Sequence, residues 1–430
     1  MVPSAISTLS KTGLLVENRR QDSDSPVLFV LPVVQSFMQQ HDRIGKDIRQ
    51  NIPLSCSQYI LDHRDQNRVS KVKALAAEDV NIQAILFSSP TTQHNNMLSD
   101  KVVDALISFS WYRCGDAKPN VEIAKHTMSM AKAFGDKKYI ASSLWCLGKT
   151  YGHLGEYYTA YDHLEEAYHL YNALLPGDRE LQWLCCECGI SMVDVARLTF
   201  EDREKVVSLA RDVEKQAATL SNDDTHARSL MTLGKVLKSS GHRQEALHYL
   251  ERAKFMEIAC GTLTPDVCYW IALVHYHEKN LPEALDAAKE AWKFSEQNNN
   301  LMAQVQNSFV LGMILFGVNR DTEAWKYMEI SLTKSLELGN RRDSAITLEY
   351  MGFGYLRRGD YLKAYDAYKA AAESYLGTVD EEPYCTKCKV NMAKIKDMQK
   401  NPDLNVGFER PSQDNNWPSL FYPGTAASAY

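Results

Sequence analysis

Apolar and small residues recur along most of this chain at three- and four-residue spacing, the period of helices with one buried face. The pattern is sharpest in three segments that align without gaps. They are CYWIALVHYHEKNLPEALDAAKEA, ending at Ala291, SFVLGMILFGVNRDTEAWKYMEIS, ending at Ser331, and LEYMGFGYLRRGDYLKAYDAYKAA, ending at Ala371. Counted from three residues before each segment, a small residue holds the eighth place (Ala272, Gly312, Gly352) and an alanine the twentieth (Ala284, Ala324, Ala364). A motif returning about every 40 residues predicts helical hairpins stacked one on the next. The small residues let the two helices of a hairpin approach closely. Another at the twenty-seventh place admits the next hairpin, and larger apolar residues fill the space between.

Upstream, 139–173 and 227–255 repeat the pattern cleanly: Leu147, Gly148, Tyr151, Gly155, Tyr157, Ala160 and Ala167, then Leu233, Gly234, Gly241, Ala246, Leu250 and Ala253. Residues 181–220 form a weaker unit whose small residue is Gly189. A degenerate first pair spans 100–113 and 120–134. Gly155, Gly241 and Gly359 fall between paired helices, where a left-handed residue ends the first helix with little strain. The expected architecture is an all-α solenoid of about seven hairpins over 98–376, closed by a capping helix at 377–400 and followed by a disordered tail at 401–430. Residues 43–97 read as a helical linker and loop. Residues 1–42 differ: a helix end, LLVE, the turn-rich NRRQDSDSP, VLFVLP and a resumed helix outline a winged-helix remnant containing a β-hairpin.

The sequence has 430 residues, 45% of them apolar and 24% charged, with a formal charge of −6. This mild acidity, with no basic block, argues against nucleic acid; Arg19 and Arg20 in the hairpin turn are offset by Asp22 and Asp24. No apolar run reaches the ~18–20 residues of a membrane helix. Ten scattered cysteines and no N-terminal leader point to a reduced, cytoplasmic setting.

From LWCLGKTYGHLGEYYTAYDHLEEA onward the hairpins resemble tetratricopeptide repeats, through Leu147-Gly148, Tyr151, Gly155, Tyr157, Ala160 and Ala167 and their counterparts. The period exceeds the family's 34 residues and the usual proline after the second helix is missing; longer helices account for the first departure. The N-terminal stretch with VLFVLPVVQSFMQQH looks like the winged-helix part of fungal signalling NTPases that join a NACHT or NB-ARC module to such repeats. That resemblance implies a sensor arm, functional with a nucleotide module not present in this chain. A strand and GxxxxGK[ST] encoded upstream of Met1 would favour this alternative.

Candidate chemistry is sparse. Gly148-Lys149-Thr150 imitates a phosphate loop, but Ser143 stands where that motif requires glycine. Cys185, Cys186 and Cys188, and the pair Cys385 and Cys388, lack the second close pair a zinc site needs, and read as small core residues. His275 and His277 point to different sides of a helix. No catalytic constellation, metal or cofactor is expected, which leaves a non-enzymatic scaffold binding a protein or peptide. The fifth, ninth and twelfth places of each first helix outline the inner face. They give Trp145 and Lys149, then Met231, Lys235 and Lys238 with Arg228 one turn earlier, then Tyr269 and Tyr276, Phe309, Met313 and Phe316, and Phe353. This face is basic in its first half and aromatic in its second, fit for a peptide or helix with an acidic end and apolar anchors. Tight coiling would instead bury the same places against neighbouring hairpins. The asparagine of chaperone-tail clamps is absent from them.

Overall fold

A computed structural model describes residues 15–18, 27–30, 46–64, 66, 68–87, 99–115, 119–174, 178–261, 264–297, 301–376 and 381–400. The chain divides into two compact units, Met1–Phe109 and Ser110–Tyr430. In the first, strands β1 (Leu15–Asn18) and β2 (Val27–Val30) pair antiparallel, Leu15 opposite Val30. The helices a winged helix requires on either side fall outside the described residues, so that assignment gains no support. Helices α1 (Lys46–Arg64) and α2 (Arg68–Leu86) pack together, with the Tyr59 hydroxyl donating to the Ala74 carbonyl at 3.1 Å. Helix α3 (Asp100–Gly115) begins in this unit, where Asp104 accepts two hydrogen bonds from Arg64. The linker loop at 88–98 and the tail at 401–430 also lie outside the described residues.

The second unit is built from antiparallel helical hairpins. After α4 (Val121–Phe134) come α5 (Lys137–His153) with α6 (Tyr157–Leu174), α7 (Arg179–Thr199) with α8 (Arg203–Ala218), and α9 (Asp223–Ser239) with α10 (Arg243–Cys260). Then follow α11 (Pro265–His277) with α12 (Leu281–Gln297), α13 (Leu301–Gly317) with α14 (Asp321–Glu337), α15 (Arg341–Arg357) with α16 (Tyr361–Tyr375), and α17 (Glu381–Lys400). Each hairpin's first helix, A, packs on its second, B, and each B packs on the next A. The A-helices also touch one another from α5 through α15. Several helices are 17 residues long, about five turns, which absorbs the extended period.

Local chemistry sets the boundaries. Asn120, Asp136, Asp178, Asn222 and Asn340 accept backbone N–H groups at helix starts, satisfying donors no earlier turn can reach. The turns inside three hairpins carry Gly155, Gly241 and Gly359 with φ of 82, 87 and 74°. In two others the same left-handed place is held by Lys279 and Asn319 (φ 64 and 60°), so glycine is favoured there without being required.

The eighth-place glycines sit where A crosses B. A β-carbon on Gly234 would stand 2.6 Å from Leu250 Cγ, and one on Gly148 2.7 Å from Leu164 Cγ and 3.0 Å from the Ala160 carbonyl. Around these crossings Ala160, Ala246, Ala284, Ala324 and Ala364 are wholly buried.

Candidate ligand-binding face

Two A-helices have no outward side. Every residue of α9 from Ala227 to Lys238 is buried, as is every residue of α13 from Ala303 to Phe316. Helix α13 suits this, being apolar apart from a few neutral polar side chains. Helix α9 does not, for it takes Arg228, Lys235 and Lys238 inside with it. Charge buried this way must be matched, since an uncompensated ion in the interior costs several kcal/mol by order of magnitude, roughly.

The matching groups come from the preceding A-helix, one repeat earlier. Glu187 of α7, 3% exposed, receives a forked pair of hydrogen bonds from the Arg228 guanidinium, and its Oε1 also accepts from Thr225 Oγ1 at 2.7 Å. Asp224 adds a contact to Arg228 Nε at 3.2 Å. Lys235 Nζ lies 3.8 Å from Asp194. Lys235 also exerts its field on Glu257 and Asp266, and on Lys149 from the α5 side. The face predicted as basic is thus an alternating ionic strip across α5, α7, α9 and α11.

Several members of the strip keep solvent contact although protein surrounds them. Lys149, Asp194 and Asp266 are half-buried, although the residues on either side of each along the helix are buried. Each of the three is a charged group at the partly exposed edge of the strip. Burial first, then the charges of Glu257 and Asp194, push the Asp266 carboxyl up to about 7 against the pull of Lys235; burial, with a smaller push from Asp224, raises Glu257 likewise, against the hydrogen bonds it accepts from Thr264 N–H and Oγ1. Both acids hold their proton more tightly folded than unfolded, where 3.8 and 4.5 are the ordinary values. Their contribution to stability is complete below those values and lost as pH rises through about 7. The Asp266→Asn, Glu257→Gln double variant is therefore expected to gain stability on the wild type between pH 5 and 8. Urea titrations across that range check it.

The aromatic half is enclosed. Trp145, Tyr269, Phe309, Met313 and Phe316 are all buried, as is Met231. Trp145 stacks edgewise on Trp111 at 4.9 Å and donates to Ser191 Oγ at 3.1 Å; Phe309 meets Tyr350 at 4.9 Å, and Phe316 meets Trp325 at 5.6 Å. Of the predicted aromatic lining only Tyr276 and Phe353 stay half-buried. For most of these positions the alternative of burial between hairpins describes what is seen, and an open groove for a whole helix is not formed by them.

One residue escaped the sequence reading. Arg197, in the last turn of α7, is 1% exposed, and its guanidinium lies 5.5 Å from the centre of the Trp270 ring. Lys235 and Lys238 approach the same ring at 5.8 and 5.9 Å. The cysteines behave as core: burial raises the thiols of Cys185 and Cys186 to about 12, and Cys385 and Cys388 are buried. Among the described residues no group of three or more His, Cys, Asp or Glu is placed to hold a metal ion, and no helix is long and apolar enough to cross a membrane.

No family model matches the chain, and no curated protein does. Solved structures do. The crystal structure of aspartyl phosphate phosphatase F from Bacillus subtilis superposes with a TM-score of 0.51 at 14% identity, covering 81% of this chain and 88% of that one. A signal transduction ATPase with numerous domains (STAND) from Pyrococcus horikoshii, bearing a tetratricopeptide repeat sensor, superposes with a TM-score of 0.53 at 14% identity. It covers 94% of this chain, which spans 60% of that protein's length. Hairpin spacing, the small residues at each crossing and these likenesses make the chain a tetratricopeptide-repeat-like helical protein.

Proposed function

We propose that the chain is a non-enzymatic protein-interaction scaffold or sensor arm whose ligand lies along the A-helix face of the second unit. The observation that carries this is the ionic strip: Lys149, Asp194 and Asp266 are charged and half-buried between fully buried neighbours along their helices. A fold with no use for those charges would carry apolar side chains in their place, which stabilise an interior at least as well as paired charge. The enclosure of Phe309, Met313 and Phe316 favours a slender occupant, an extended peptide rather than a folded helix. Nucleic acid, membrane and small-molecule cofactors have no part in this reading, and it carries the cytoplasmic location with it.

A second reading is the ligand-sensing portion of a STAND-type NTPase. It is supported by the Pyrococcus protein, whose repeats are called a sensor and whose fold this chain matches over 94% of its own length. The winged-helix reading of residues 1–42 belongs to the same proposal.

The test uses the half-buried residues. Lys149→Glu with Tyr276→Ala reverses one charge and trims one anchor without excavating the core. Partner capture by the full chain is expected to fall at least tenfold, and Tyr276→Ala alone, which leaves the strip's charges in place, should weaken capture with the thermal midpoint little moved. Unchanged capture removes the A-face from the proposal. Phe316→Ala is unsuited to this purpose, because its ring packs on Trp325 and against Gly354, and its loss would loosen the α13–α15 contact.

A further inference from the structure

Arg197 is buried within the field of Asp194 but with no anion hydrogen-bonded to it among the described residues. None of Nε, Nη1 and Nη2 has a hydrogen-bond partner among the described residues. The carboxylate three residues earlier, Asp194, is paired with Lys235. Another charge acting on it is a cation: Arg203, whose Nη1 donates to the Arg197 carbonyl at 2.5 Å. Next to Trp270, Tyr269 is 3% exposed, lies within the electrostatic field of Arg197, and its hydroxyl also has no partner among the described residues.

Folded proteins rarely leave such groups unmatched. Nearly all buried polar atoms are hydrogen-bonded, and a charged one left alone is the costliest exception. A tryptophan ring supports the guanidinium as a cation but accepts none of its in-plane N–H bonds. Those donors form a fork that two oxygens of one carboxylate satisfy together, leaving a lone pair for a phenol.

We propose that Arg197 and Tyr269, backed by Trp270, form a receptor for a single carboxylate carried by the ligand of the A-helix face. The inference rests on the reading of that face as the ligand surface and names the chemistry that anchors it. Neighbouring Asp194, Asp266 and Asp343 set the class, because their field disfavours a phosphate dianion more than a monoanionic carboxylate. Asp194, Arg203, Asp266 and Arg342 around the pair retain solvent contact and mark the way in. The carboxylate belongs either to a peptide's C-terminus or to an acidic side chain.

Titration calorimetry and thermal melts of the full chain separate these. The probes are acetyl-tetraalanine with a free C-terminus, its C-terminal amide, the amide with one alanine replaced by glutamate, and inorganic phosphate. A carboxylate probe is expected to bind saturably and raise the melting temperature, while the plain amide does neither; whichever carboxylate probe works identifies the source. Arg197→Met should weaken that binding about 100-fold and Tyr269→Phe about tenfold. Ligand-free Arg197→Met should melt no lower than the wild type, since an unmatched charge has been removed. The proposal is overturned if neither carboxylate probe binds, if phosphate binds as tightly, or if Arg197→Met leaves binding intact. A much lower melting temperature of that variant without ligand also overturns it, making Arg197 a structural support for Trp270. Carboxylate binding with partner capture undisturbed in the Lys149→Glu, Tyr276→Ala protein would keep this receptor and dismiss the interaction surface. Lost capture with no carboxylate binding would do the reverse.

Discussion

Glu187→Ala is expected to destabilise the second unit by about 3–5 kcal/mol, the usual effect of stripping one partner from a buried ion pair. Glu187 is 3% exposed and ties α7 to α9 through the Arg228 fork and the Thr225 hydroxyl. Without it the Arg228 guanidinium stays inside with only Asp224, whose side chain is 43% exposed and well solvated. The double variant Glu187→Met, Arg228→Met replaces the pair by apolar groups of similar length. It should regain most of that loss and could exceed the wild type by about 1–4 kcal/mol, as other buried pairs have on apolar replacement. Urea unfolding of the three proteins measures both effects. A single variant as stable as the wild type would mean that the α7–α9 contact does not depend on this pair. In a repeat array the loss should register first in the hairpins around α7 to α10, so a broadened or split transition is itself informative.

Gly148→Ala and Gly234→Ala should each cost about 1–3 kcal/mol through overpacking. The added carbon meets Leu164 Cγ at 2.7 Å or Leu250 Cγ at 2.6 Å, atoms near the root of each side chain and hard to move. Behind them stand the Ala160 and Ala246 carbonyls at 3.0 and 3.2 Å. The sites lie in different hairpins and share no partner, so the double variant should show the sum within about 0.5 kcal/mol. Gly155→Ala is the control. Its β-carbon would meet nothing within 4 Å, and only the left-handed backbone (φ 82°) penalises it, by about 1–2 kcal/mol. Thermal and urea midpoints rank the three. If Gly148→Ala and Gly234→Ala are neutral, close A–B approach is not what holds the hairpins.

The repeat was legible because its physics is local. A small residue every repeat and an alanine twelve places on can be seen without knowing what they touch, and Gly148, Gly234, Gly312 and Gly352 all stand at crossings. Even the weak unit marked its crossing, with Gly189 against Tyr168 and Val213. The candidate site was legible only in outline. Periodicity assigns a residue to a face of its own helix, but whether that face is covered depends on how tightly successive A-helices close. That is why Tyr269, Phe309 and Met313 were readable as lining and are in fact packed inside.

The ion pairs left a signal that face-reading passes over. Glu187 with Arg228, Asp194 with Lys235 and Lys138 with Glu180 are opposite charges about one repeat apart, at matching places on successive A-helices. Looking for charge reversal at the repeat spacing would have found them. Arg197 had no such signal. It sits on α7, at 21 residues longer than its counterparts, and so beyond the positions by which the other units define their inner face.

The claim on which function depends is that a ligand contacts the A-helices and not the outer B-helices. A photoreactive benzoylphenylalanine placed at Tyr276 of α11, or at Phe255 of α10, tests it directly in the full chain within an extract of its source cells. Phe255 is the demanding control, because at 73% exposed it is the more accessible ring. Crosslinks to partner are expected from position 276, suppressed by Lys149→Glu, and not from position 255. Crosslinks from 255 alone would contradict the claim and move the working surface to the opposite side of the hairpins.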